Sequence, residues 1–403
     1  MRPRAPVLTY NLFMHSFDAI TAEEMVRQGS AKWTAFPGTI GMWLAEMDFG
    51  IADELEDFLC SQASVGSLGY LPEHESKQII DSCATYIDEL SGWKPDTGLM
   101  HLIPDVLTAL RMTIELFTPA GSPIVVPTPA YMPFLTIPSE FEREVIEVPS
   151  ILGDDGLWRL DYDGLEAAFA NGARMMILCN PWNPVGRCLT REELKRLDGL
   201  VEKYDVRVFE DGIHFPLIFE GNAAVPFGAV SENAAAHTVT AVAASKGWNI
   251  PGLKCAQLIF HNDADAERFA PQTARFTGAT STLGARAAQV CYENAREWNE
   301  DVRRYLQGNY EIVRERVASW DGVRMSAVEG TYITFLDFSE HAARGVFGES
   351  DAATWIRENA GVSLTSGKLS GSHYTNWTRM TFANPRPVLN EALDRIEHAL
   401  FAS

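Results

Sequence analysis

The chain has no run of 18 apolar residues, so no segment reads as a membrane-spanning helix. Its first residues, Met-Arg-Pro-Arg-Ala-Pro-Val-Leu, carry basic groups without the apolar stretch of a signal peptide, and a soluble, cytoplasmic protein is expected. There is no Gly-x-Gly-x-x-Gly and no Gly-Lys-Ser/Thr, which disfavours dinucleotide and nucleotide chemistry. The nine histidines show no His-x-x-x-His spacing and the six cysteines no Cys-x-x-Cys pair, so a zinc site is not expected. Cys60, Cys83, Cys179, Cys188, Cys255 and Cys291 are scattered, several beside apolar runs, and read as buried free thiols. Cations are scarce as well. With 33 Lys and Arg against 54 Asp and Glu, the net charge of -21 argues against nucleic acid or an anionic membrane as partner. An anionic small molecule is not excluded, because a few amides and cations can hold a phosphate inside an acidic protein.

What is present is a long chain with a large core. At 403 residues and 46% hydrophobic, two domains are the default. The expected division is an arm over residues 1–50 that contributes to the smaller domain, a large domain over 51–285, and a small α+β domain over 286–403. Apolar β-rich runs at Ile124–Val126, Val145–Val148, Met175–Cys179, Val206–Phe209, Thr238–Val242 and Ala256–Phe260 alternate with helix-like stretches. One of these helices opens with the capping-box pattern Thr190-Arg-Glu-Glu193. Alternation of this kind implies an α/β fold with a mostly parallel sheet covered on both faces. Residues 282–319 read as one long helix linking into the smaller domain, where strands are expected at Val323–Met325, Thr331–Asp337 and Trp377–Phe382. Helices are expected around Thr21–Gln28, Ala352–Asn359 and Leu389–Phe401.

In such sheets ligands gather beyond the carboxyl ends of the strands, and the informative residues fall in those loops. Lys246 lies in Val242-Ala-Ala-Ser-Lys-Gly-Trp-Asn-Ile-Pro-Gly-Leu-Lys254, at the exit of a buried run. Desolvation lowers a lysine's pKa and frees its amine to form a Schiff base with a carbonyl. Lys254 adds a second cation eight residues on, beyond Pro251 and Gly252. Asp211, in Phe-Glu-Asp-Gly-Ile-His214, and Asn183, in Cys179-Asn-Pro-Trp-Asn-Pro-Val-Gly186, also sit at strand exits. Each has an ordinary alternative as a surface acid or a turn asparagine.

The order and spacing of these motifs resemble those of fold-type I pyridoxal-phosphate enzymes in the aminotransferase class I/II superfamily. The resemblance implies that Lys246 is the Schiff-base lysine, Asp211 the partner of the pyridine nitrogen and Asn183 the contact of the phenolic oxygen. It further implies Ser245, Lys254 and the amides of Val106 and Leu107 at the phosphate, where Pro104-Asp-Val-Leu-Thr108 opens a helix. Tyr131, in a Pro-rich turn, is implied as the ring that stacks on the pyridine. Arg379, in Asn376-Trp-Thr-Arg-Met-Thr-Phe382, is implied as the substrate carboxylate's partner, where a bidentate guanidinium suits better than a lysine. Tyr70, after Gly69, resembles a tyrosine that reaches the site across a homodimer interface.

Trp43-Leu-Ala-Glu-Met-Asp-Phe49, the Asp-x-Ile-His pattern ending at His214, and Gly330-Thr-Tyr332 are similar to the carbon–sulfur lyases of the cystathionine β-lyase type, the MalY, PatB and AecD-like group. His214 stands where transaminases commonly have tyrosine. That resemblance implies β-elimination from cystathionine or another cysteine S-conjugate. Transamination, decarboxylating oxidative deamination and a regulatory binding role stay open as alternatives. Two positions depart from the group: Gly212, where relatives usually carry Glu, and Asp105, where many carry Gly.

Overall fold

The computed structural model describes residues 17–223 and 225–402, so the first sixteen residues of the expected arm lie outside the described residues. Seven strands form the main sheet: β1 (Met100–Ile103), β2 (Ile124–Thr128), β3 (Val145–Pro149), β4 (Met175–Cys179), β5 (Arg207–Asp211), β6 (Thr238–Val242) and β7 (Ala256–Phe260). Their order is β1-β7-β6-β5-β4-β2-β3. Every residue of β2, β4, β6 and β7 is buried, as strands covered on both faces require. The short β1 was not expected. Its four residues include His101 and are cut off by Pro104, too brief a run to register as a strand.

Neighbours from β3 through to β6 pair in parallel, whereas β7 runs antiparallel to both β6 and β1. That single reversal matters for placement. Gln257 at the start of β7 pairs with Val242 at the end of β6, and Ala256 pairs with Ile103 at the end of β1. The residue just before β7 therefore reaches the same edge as the residues that follow the other strands.

A second sheet of four strands, β8 (Arg324–Met325), β9 (Ile333–Asp337), β10 (Thr365–Ser366) and β11 (Trp377–Thr381), is antiparallel throughout in the order β8-β9-β11-β10. Its core packs against the helices Arg296–Ala318 and Arg386–Phe401 and against Trp33, Met42, Met47 and Phe49 from the first part of the chain.

Eight helices matter here: α1 (Asp53–Val65), α2 (Glu73–Ser91), α3 (Val106–Phe117), α4 (Arg191–Tyr204), α5 (Thr282–Glu293), α6 (Arg296–Ala318), α7 (Ala352–Ala360) and α8 (Arg386–Phe401). The capping box at Thr190 opens α4, and Thr21 caps Ala22–Gln28 in the same way. The single helix expected over 282–319 is in fact two. Between α5 and α6 the Ala295 carbonyl accepts a hydrogen bond from the Trp248 indole at 2.8 Å, and the chain breaks there with α6 beginning at Arg296. Hydrophobic periodicity carries no trace of a bond to a distant indole. Among the described residues no helix is long and apolar enough to cross a membrane.

The segment 40–48 is tied to the second sheet by backbone pairing. Ile40–Gly41 pairs in parallel with Val362–Ser363, Thr381 N donates to Met42 O, and Asp48 N donates to Ala383 O. Gly41 has no room for a side chain, because a Cβ would stand 2.5 Å from the Lys32 carbonyl oxygen. Beneath it lies a buried ion pair. Lys32 Nζ is 3.0 Å from Asp48 Oδ2, with the side chains 0% and 3% exposed. Trp33 Nε1 donates to Asp48 Oδ1 at 3.0 Å, Asn384 Nδ2 to Asp48 Oδ2 at 2.6 Å, and Lys32 Nζ also to Glu46 O at 3.2 Å. Burial raises the Asp48 pKa, opposed by Lys32 and by these donors.

Removing one partner of a buried pair leaves the other charged and unsatisfied. Asp48→Asn should therefore destabilise the fold by ~3–5 kcal/mol, whereas Lys32→Met combined with Asp48→Leu should cost much less. Chemical denaturation of the two variants beside the parent checks this; equal losses would show that the charge itself is not what matters.

Candidate active site

Six loops converge on the edge described above. Asp105 to Leu107 follow β1, Tyr131 follows β2, Asn183 follows β4, Asp211 closes β5, Lys246 follows β6, and Lys254 precedes the reversed β7. With Arg379 from β11 and Trp43 to Ala45, they line one cavity of about 270 Å³. Ser245 and His214 line it too. Every site residue expected from the sequence is gathered here except Tyr70, which is 100% exposed and stands outside the cavity.

Lys246 Nζ donates to the Ala45 carbonyl at 2.7 Å. Desolvation and the neighbouring Arg379 cation lower its pKa to about 8, against the opposing pull of Glu46 and Asp211. Gly247 is required next to it: a Cβ there would come within 2.5 Å of Pro216 Cβ. Asp211 is buried at the end of β5 and accepts from Ile213 N at 2.9 Å. Its burial raises its pKa to about 6, with that amide and Lys246 pulling the other way. A carboxylate in this position gains from any cation brought to it.

His214 is buried and its Nδ1 lies 2.9 Å from Thr331 Oγ1. Desolvation, helped by Lys246 and Arg379, lowers its pKa to about 3, so the ring is neutral. Thr331 holds a φ of 68°, a costly backbone for a β-branched residue. The Leu217 carbonyl on its amide and the contact with His214 fix it there. The Gly330-Thr-Tyr332 motif thus acts by positioning His214, and the Tyr332 hydroxyl donates to Ala45 O at 2.9 Å.

Arg379 is 3% exposed and among the described residues has no carboxylate partner. Its Nη2 donates to Trp43 O at 2.9 Å and its Nη1 makes a long contact of 3.4 Å with Asn183 Oδ1, while Nε has no partner among the described residues. With Thr365 Oγ1 at 3.4 Å from Nη2 and Met132 Sδ at 3.9 Å from Nη1, this buried guanidinium meets only neutral acceptors, an unmet demand for an anion. Burial lowers its pKa, but a guanidinium stays charged in a protein.

At the opposite end, Asp105 caps α3, its Oδ1 accepting from Thr108 N and Thr108 Oγ1, both at 2.8 Å. The amides of Val106 and Leu107, in the first turn of α3, have no acceptor within the helix. Lys254 Nζ lies 3.1 Å from Asp105 Oδ2. These donors, with Ser245 beside them, suit a small anion. Tyr131 is a half-buried side wall whose hydroxyl pKa burial raises. Gly212 has an ordinary backbone, and a Cβ there would meet Val242 Cγ1 at 3.1 Å, so the position accepts glycine without demanding it.

Sequence reasoning missed the main-chain oxygens of Trp43 and Ala45 as ligands of Arg379 and Lys246, and the lining residues Met132, Cys179 and Ile213. A carbonyl is common to all residues and leaves no compositional signal.

The sequence model described as aminotransferase class I and II matches residues 102–396. A cystathionine β-lyase of Corynebacterium glutamicum is 34% identical over 94% of this chain and 98% of its own length. Cystalysin of Treponema denticola, whose crystal structure contains a pyridoxal 5'-phosphate cofactor, superposes with a TM-score of 0.84 at 26% identity, over 93% of this chain and 96% of that one. An aspartate aminotransferase of Thermus thermophilus shares the fold at 19% identity and a TM-score of 0.78, over 99% and 97% of the two chains.

With its pKa lowered to about 8, Lys246 should react with a lysine-selective reagent in the cofactor-free protein with a midpoint near pH 8. Arg379→Ala removes a cation that lowers this value, so the midpoint should rise. Mass-spectrometric labelling across pH measures both; a parent midpoint near that of free lysine would contradict the electrostatics described.

Proposed function

The chain belongs to the aminotransferase class I and II family, and from that premise we propose that it is a pyridoxal 5'-phosphate-dependent carbon–sulfur β-lyase. The reaction is cleavage of L-cystathionine or another cysteine S-conjugate, with water, to a thiol, pyruvate and ammonia. The observation that carries the reading is a buried guanidinium without a carboxylate, sharing one cavity with an amine of lowered pKa. The first awaits an α-carboxylate and the second a carbonyl. The likeness to a cystathionine β-lyase over nearly the whole chain supports elimination rather than transfer.

The residues present fit the cofactor. Lys246 would bond its carbonyl carbon, Asp211 would face its ring nitrogen, Asn183 its phenolic oxygen and Tyr131 its ring face. Val106, Leu107, Ser245 and Lys254 would hold its phosphate. When bound, the group supplies an electron sink that acidifies the substrate's Cα–H.

The chain's own residues do the rest. Arg379 binds the α-carboxylate and fixes which Cα bond faces Lys246. The Lys246 amine, once free, takes the α-proton at Nζ, and its lowered pKa puts it near the working range of a general base. Nζ then stands ready to protonate the departing sulfur. Asp211 would carry its negative charge opposite the cofactor's ring nitrogen and favour that nitrogen's protonated form. Neutral His214 adds no competing charge beside Lys246 and Arg379.

We further assign the chain as a cytoplasmic homodimer of two-domain subunits, with boundaries near residues 50 and 285. Tyr70 is fully exposed beside exposed Val65 and Leu68, a short apolar surface suited to burial against a second copy. In that arrangement Tyr70 would enter the partner's cavity.

An S-alkyl cysteine supplied alone should give sustained release of thiol, pyruvate and ammonia. A single turnover that halts until a keto acid is added would establish a transaminase instead. Arg379→Ala should weaken substrate use by ~2–5 kcal/mol, mostly in KM, as loss of one partner of a buried charge pair does. Mixing inactive Lys246→Ala with Tyr70→Ala subunits should restore about a quarter of parent activity, since half of randomly mixed dimers carry one intact site. No recovery would exclude a cross-subunit Tyr70.

A further inference from the structure

Among the described residues lining the cavity, Asp105 is the acid at the anion-binding end, and its two oxygens are both committed. Oδ1 takes the Thr108 amide and hydroxyl at 2.8 Å, and Oδ2 takes Lys254 Nζ at 3.1 Å. The first bond is an ordinary helix cap that Asn or Ser could make equally well. The second is not. It ties up the only side-chain cation among the described residues lining this end of the cavity. The amides of Val106 and Leu107 remain free beside a fixed negative charge, one residue from the carboxylate.

On the reading that this end holds the cofactor's phosphate, we propose that Asp105 is a weakening element built into that site. It sets how tightly the phosphate ester is retained, by neutralising Lys254 and repelling the doubly charged anion. The helix N-terminus contributes roughly half a positive charge, and Lys254 and Asp105 cancel. The phosphate thus meets far less positive potential than the same loop would present without the acid. Asp105 keeps its charge, because its three hydrogen bonds from Thr108 and Lys254 and the Lys254 charge outweigh the effect of its partial burial. The repulsion is therefore permanent across the neutral range. The ring and carbonyl of the cofactor would be held by Asp211, Tyr131 and Lys246, none of which Asp105 bonds.

This separates phosphate from ring in a measurable way. Full-length protein freed of cofactor is titrated with pyridoxal 5'-phosphate and, in parallel, with pyridoxal, which lacks the phosphate; the signal is the absorbance of the lysine-bound chromophore. Asp105→Asn preserves the cap and removes the charge. It should tighten pyridoxal 5'-phosphate about 10-fold and leave pyridoxal nearly unchanged. Asp105→Ser, a second capping residue, should do the same and covers the case in which the Asn variant folds poorly. An unchanged or weaker dissociation constant for the phosphate ester would overturn the inference and show that Asp105 serves to orient Lys254. An equal shift for both ligands would overturn it too, by locating the effect in the ring. If the parent protein formed no chromophore with either ligand, the cofactor reading itself would fail, an outcome distinct from both.

Discussion

A buried ion pair between Lys32 and Asp48 governs how this site is assembled. Neither residue touches the cavity, yet the loop they anchor passes directly over it. With Trp33 and Asn384 also bound to Asp48, the chain between residues 43 and 48 has little freedom. Its carbonyls at positions 43 and 45 then meet Arg379, Lys246 and Tyr332. An ion pair of this kind contributes little net stability compared with apolar packing, so its value here lies in fixing one geometry. It joins the first part of the chain to the second sheet, next to the carbonyls that Lys246 and Arg379 contact.

The reversal of β7 is the second constraint. Parallel strands deliver their carboxyl ends to one edge, which explains how β1, β2, β4, β5 and β6 supply loops to the same place. Lys254 reaches that edge only because its strand runs the other way. A parallel β7 would have carried the lysine to the opposite edge of the sheet, far from α3.

Much of this was legible in the residues. Met175–Cys179, Thr238–Val242 and Ala256–Phe260 are predominantly apolar or β-branched runs whose limits coincide with the observed strands. Lys246, Asp211, Asn183 and Arg379 announce themselves because a charged or amide group at the end of a buried run needs a reason to be there. The failures share a cause. The break at Ala295 coincides with a bond from Trp248, nearly fifty residues away in the chain, and the ligands at Trp43 and Ala45 are main-chain atoms. The pairing of Lys32 with Asp48 spans sixteen residues of irregular chain, where no period applies. Local pattern reports what a segment buries, and is silent about which distant polar atom it meets.

Lys246 and Arg379 rest on carbonyl oxygens only two residues apart, Ala45 and Trp43. Both groups are therefore already desolvated in the unliganded protein, and each is held by a neutral dipole that a carboxylate outcompetes at Arg379 and that covalent capture of the amine by a carbonyl displaces at Lys246. Substrate entry at this site resembles ligand exchange on a coordinated ion more than the capture of a hydrated one. The loop that carries the two oxygens is the leaving ligand in both exchanges, so one small shift of its backbone would register the filling of either position at the other.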